Sequence, residues 1–175
     1  MLPHALTLIT FAHFPIMGVS GTSQCPGSSA WVHASARLVA DADDSCDAVK
    51  EEMLARVSGQ PDRWHDPHNN GTYTLLNSDD DVLKLQRLTG NGKYVDKLTF
   101  SLSAAAGGGC TLAGCSESQV TSVYDGGTNY CNLRMLYCGS ADGCKPVLHD
   151  FATRERSVAT SSAAAAHDLK LCLAV

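Results

Sequence analysis

Between residues 32 and 58, Val39, Ala42, Cys46, Val49, Met53 and Val57 recur at steps of three and four, which places them on one helical face. Asp43, Asp44, Asp47, Lys50 and Glu51 mostly fall on the other side, and Gly59 and Pro61 supply a stop. The spacing predicts an N-terminal amphipathic helix over 32–58, with the acidic run 41–45 as the place where it would break in two. Cys46 lies on the apolar stripe, so a bridge from it would fasten the helix to its packing partner.

After residue 70 the period shortens to two. Residues 72–77 and 82–89 read as paired strands around a polar turn at 78–81, and Gly90-Asn91-Gly92 turns the chain into a third strand over 93–103. There Leu98, Phe100 and Leu102 share one face while Lys97, Thr99 and Ser101 share the other, the signature of a sheet buried on one side. Residues 104–109 form a small-residue connector. Segments 119–124 and 128–138 predict a second hairpin around Asp125-Gly126-Gly127, and 147–153 a final strand entered through Pro146. The fold class expected is α+β: one N-terminal amphipathic helix packed on an antiparallel sheet of about five strands, and rich in disulfides.

Sulfur and charge distribution set the compartment. The chain has 175 residues and a formal net charge of −5, and its first 21 residues carry no Lys, Arg, Asp or Glu. An apolar run from 5 to 19 followed by small residues reads as a signal peptide over 1–21. It is too short for a confident membrane span, so no stable membrane insertion is expected. Scattered basic residues on an acidic chain argue against nucleic acid as a partner. All eight cysteines, Cys25, Cys46, Cys110, Cys115, Cys131, Cys138, Cys144 and Cys172, lie beyond the leader. An even count in a secretory context predicts a disulfide framework, and the absence of any C-x-x-C knuckle argues against zinc. Local pairs Cys110/Cys115 and Cys138/Cys144 could close small loops, leaving Cys25, Cys46, Cys131 and Cys172 for longer ties. The expected organisation is a disulfide-stabilised domain over 22–160, then a low-complexity link and a tail over 161–175, tethered through Cys172.

Candidate chemistry concentrates in Trp64-His65-Asp66-Pro67-His68-Asn69-Asn70-Gly71-Thr72-Tyr73. His65, Asp66 and His68, with His149 from further along the chain, could hold a metal or form a general base with an orienting carboxylate. The competing explanation is a polar turn before the first strand, with Trp64 and Tyr73 capping the core. Asn70-Gly71-Thr72 is an N-glycosylation sequon, which would put this turn on the surface of a secreted protein. Asp41, Asp43, Ser45, Asp47 and Glu52 fall at the liganding offsets of a calcium loop, but Cys46 stands where the sharp turn needs glycine. No P-loop, nucleophile elbow or cofactor motif occurs.

The helix-then-meander order is similar to a cystatin-type layout, and Gln119-Val120-Thr121-Ser122-Val123 resembles the hairpin motif Q-x-V-x-G, with Val123 in the glycine position. The resemblance covers five residues and a general layout, and it implies protease inhibition through an exposed 119–128 hairpin. The leading expectation is a secreted, non-catalytic interaction domain for an extracellular protein or glycan. Its contacts would come from aromatic and hydrogen-bonding residues near turns: Trp64, Tyr73, Tyr124, Asn129, Tyr130 and Arg134. The alternatives are a small extracellular hydrolase or metal-dependent enzyme using His65, His68 and His149, and the inhibitor.

Overall fold

A computed structural model of the protein describes residues 23–161 and 167–174. The expected leader, 1–21, and most of the low-complexity link, 162–166, lie outside the described residues. The chain forms one six-stranded antiparallel sheet. Its strands are β1 (Ser35–Ala42), β2 (Thr72–Ser78), β3 (Val82–Leu88), β4 (Val95–Ala104), β5 (Cys110–Ser118) and β6 (Thr153–Thr160), in the order β2-β3-β4-β5-β1-β6. Three helices accompany it: α1 (Cys46–Ser58), α2 (Thr128–Arg134) and the short α3 (Leu169–Cys172). The α+β class and the antiparallel sheet agree with the expectation. The strand count and the place of the helix do not.

The first helix is not N-terminal, because β1 precedes it. Ala36, Leu38, Ala40 and Ala42 point inward and alternate with more exposed residues, a period of two hidden by alanine, which favours helices in isolation. The chain breaks inside the acidic run. Ser45 caps α1 by accepting from the Ala48 N–H at 3.2 Å, and Asp43 accepts from the Ala152 N–H at 2.8 Å. The predicted hairpin around 125–127 is also overturned. Residues 119–127 form a loop and 128–134 a helix, buried on every side, so no one-faced periodicity marks it. β5 went unpredicted for a related reason: its small residues are packed on both faces. The last strand lies at Thr153–Thr160 rather than 147–153.

Four disulfides tie this framework and leave no free cysteine among the described residues. Cys46–Cys110 fastens α1 to β5, as the stripe position of Cys46 implied, and Cys131–Cys172 tethers the C-terminal segment to α2. Cys138–Cys144 closes a small loop as expected. Cys110 and Cys115 do not pair with each other. They are five positions apart on one extended strand, where residues of opposite parity face opposite sides of the sheet, and Cys115 instead bonds Cys25 across the second face.

A buried ion pair locks α1 to the loop before β6. Glu52 accepts from Arg56 Nε at 2.7 Å and from the backbone N–H groups of Val147, Leu148 and His149 at 2.7–2.9 Å. Arg56 in turn donates to the carbonyls of Met135 and Cys138, both at 2.7 Å. Burial alone would raise the Glu52 pKa, but these donors outweigh it and hold the carboxyl below its ordinary value. The contribution is therefore present above the unfolded pKa and is lost as pH falls through the folded one. Glu52→Gln should cost about 3 kcal/mol at pH 7. In denaturant titrations the gap to wild type should shrink as pH drops below about 4. A gap independent of pH would contradict this assignment.

Candidate functional site

Two strands carry an ionisable residue in phase with their buried apolar positions. On β3, Arg87 follows Leu83 and Leu85. On β4, Asp96 precedes Leu98, Phe100 and Leu102. Arg87 and Asp96 face each other in register. A charge on an inward face needs a partner, and each has one. The Arg87 guanidinium donates through Nε to Asp66 Oδ2 at 2.8 Å, and through Nη2 to the same oxygen, to the His68 carbonyl and to Asn69 Oδ1. Both side chains of this pair are fully buried. Asp96 accepts from Asn132 Nδ2 at 2.8 Å and also hydrogen-bonds Ser118. Burial pushes the Asp96 carboxyl above the ordinary carboxylate range, and these hydrogen bonds offset only part of the rise.

The seam continues into α2. Asn129 donates to Asp125 Oδ2 at 2.8 Å and to Ser118 Oγ at 3.0 Å, and accepts from Ser116 Oγ at 2.6 Å. Asp125 also accepts from the N–H groups of Gly127 and Asn129 at 3.1 and 2.9 Å, which folds the loop back into the helix. Gly127 takes a φ of +88° at that turn, a conformation that favours glycine.

Above this seam lies an open cleft of about 640 Å³. One wall is the β3–β4 turn with Thr89, Asn91 and Tyr94, and the other is the loop 120–126. Asn69, Asp96, Ser118 and Thr128 also line it. Tyr94 and Tyr124 are half and two-thirds exposed (50% and 66%). Beside the loop, Ser122 N–H donates to the Val32 carbonyl at 3.0 Å, which joins it to a segment carrying Trp31, 97% exposed. The arrangement offers aromatic faces, amides and hydroxyls around one concavity.

The residues singled out from sequence fall in several places. Of the expected contact residues, Tyr124 lines the cleft, whereas Trp64, Tyr73, Asn129, Tyr130 and Arg134 are buried and make internal contacts. Tyr73 donates to the Asn132 carbonyl at 3.0 Å; Tyr130 hydrogen-bonds Glu155, and Arg134 pairs with Asp142. The histidines do not converge. His65 is exposed beside a second cavity, His68 Nε2 lies 3.3 Å from Thr128 Oγ1, and His149 pairs with Glu51 at 3.0 Å. Asp66 is consumed by Arg87 and orients no histidine ring. Among the described residues, the one group of three potential metal ligands contains the bonded sulfurs of Cys25 and Cys115. The calcium-loop offsets are dispersed, with Asp41 on β1 and Glu52 buried against Arg56.

Sequence reasoning missed Tyr94, Asp96, Asn69 and Trp31. An Asp in phase with three apolar residues was a readable signal for Asp96. Tyr94 and Trp31 sit in segments without periodicity.

Gly71 is required by the same hub, since a Cβ there would lie 2.1 Å from the Arg87 guanidinium carbon. Arg87→Met should therefore cost about 3–5 kcal/mol in chemical unfolding by stranding Asp66, and Gly71→Ala should also destabilise by displacing the guanidinium. Losses below about 1 kcal/mol for both would show that the pair does not organise the turn. No family model, curated protein or solved structure matches this chain.

Proposed function

We propose that the chain is a secreted binding domain that holds an extracellular glycan in the cleft between the β3–β4 turn and the 120–126 loop. The observation that carries this reading is the pair of exposed tyrosines, Tyr94 and Tyr124, flanking a 640 Å³ concavity whose other groups are largely amides and hydroxyls. Sugar rings present C–H faces that pack on aromatic rings and hydroxyls that pair with amides and carboxyls. Asn69, Asn91, Thr121 and Thr128 supply such partners, and Asp96 adds a carboxyl to the lining. The walls of the cleft are tied to the sheet and α2 by buried hydrogen bonds, which lowers the ordering cost of binding.

Four intramolecular disulfides fit an extracellular or secretory-pathway protein, and no helix among the described residues is long and apolar enough to cross a membrane. The exposed Trp31 and Val123 favour a second reading, in which a protein partner docks on this rim. An enzyme built on His65, His68 and His149 gains no support from their separation. The inhibitor reading needs a projecting 119–128 hairpin, and that segment is instead a loop leading into α2, with Gln119 tied to the Gly27 carbonyl.

On a glycan array the wild-type protein should select a glycan class. Tyr94→Ala and Tyr124→Ala should each weaken that binding about tenfold or more, with melting temperature unchanged because both rings are solvent-exposed. Absence of any glycan binding, or tyrosine variants that bind as well as wild type, would remove the reading. The sequon also belongs to this proposal: Asn70 and Thr72 are exposed at the turn that carries Asn69. Material secreted from a eukaryotic host should lose one N-glycan by intact mass on Asn70→Gln. An unchanged mass would show that the sequon is not used.

A further inference from the structure

A second cavity, of about 360 Å³, shares no lining residue with the cleft. Part of its lining is apolar: Trp64 and Met135 are buried, Leu173 is half-buried, and the Cys138–Cys144 bridge lines it too. Its rim is cationic. Arg63 and Lys145 are exposed, and neither has a carboxylate within ion-pair distance among the described residues. His65 stands beside them, and Asp62 is the one carboxylate in the lining. Arg63 and Lys145 outnumber the one carboxylate of the lining, so the concavity carries a net positive charge on a chain of net charge −5.

The covalent framework keeps this cavity formed. Cys131–Cys172 holds the segment that brings Leu173 into the wall, and Cys138–Cys144 places Lys145 at the rim. Backbone bonds from Arg63 and Trp64 N–H to the Gly59 carbonyl, at 2.8 and 3.2 Å, seat the other side on the end of α1. A site set up in this way needs no rearrangement to accept a ligand.

We propose that this cavity binds a small organic carboxylate with an apolar body. The body packs on Trp64, Met135, Leu173 and the polarisable sulfurs, and the carboxylate meets Arg63 and Lys145. A bare inorganic anion would leave the apolar floor unused, and a neutral apolar molecule would leave both cations unpaired. The inference is independent of the glycan reading.

The protein has two tryptophans, so Trp31→Phe leaves Trp64 as the one indole reporter at the cavity wall. Titration of this variant with decanoate, below the concentration at which decanoate self-associates, should give a saturable change in Trp64 emission. Decanol should bind about tenfold more weakly or worse, and inorganic phosphate should produce no saturable change. Adding Arg63→Gln and Lys145→Gln, both exposed positions, should weaken decanoate about tenfold while leaving melting temperature and circular dichroism unchanged. The proposal is overturned by any of three results: no saturation with decanoate, equal affinity for decanol or phosphate, or full affinity in the doubly neutralised protein.

Discussion

The Arg87 guanidinium, buried between the sheet and the turn that precedes β2, is the interaction on which the end of the protein that carries the cleft depends. It is a full charge with no access to water, and such a charge is tolerated only where acceptors surround it. Asp66, the His68 carbonyl and Asn69 accept from its Nε and Nη2, which ties the turn to that edge of the guanidinium. Gly71 follows from that tie, because no larger residue leaves room for the guanidinium. Through the register partner Asp96 the constraint passes to Asn132 and so to α2, whose other asparagine fastens the 120–126 loop through Asp125. Both walls of the cleft are thus anchored to one polar seam. A second pair, Glu52 with Arg56, does the same for the segment before β6.

Much of the sheet was legible in the sequence. β3 and β4 show the alternation of strands with one wet face, β2 buries only Tyr73, and the turn residues between them fall where turns occur. β1, β5 and α2 were not legible, each for a definite reason. Alanine at the inward positions of β1 imitates a helix, β5 is packed on both faces, and α2 is buried all round, so the contrast between faces that periodicity reads is missing. The candidate site was legible only in fragments. Tyr124 was marked as a contact residue, and the 64–73 stretch was recognised as chemically dense. Its density proved to serve Arg87 rather than a metal or a general base. That outcome depended on a partner 21 residues away, which local spacing does not reveal.

The bridges and the seam divide the work of stabilisation. Cys25–Cys115 and Cys46–Cys110 span 90 and 64 residues and cross-link the chain at β5, which restricts the unfolded ensemble more than a short loop does. The two C-terminal bridges instead shape the wall of the smaller cavity. Four intramolecular bridges of this kind fit an extracellular or secretory-pathway protein.

Amides of the turn before β2 and of the start of α2, beside the cleft, are held as firmly as the sheet itself. Native-state hydrogen exchange tests this at His68 and Asn129, whose N–H groups donate to Asp66 and Asp125 at 2.9 Å from segments outside the strands. Both should exchange as slowly as the β4–β5 ladder, through global unfolding only. Exchange at the rate of the exposed residues 106–108 would show that the seam is not what fixes the cleft.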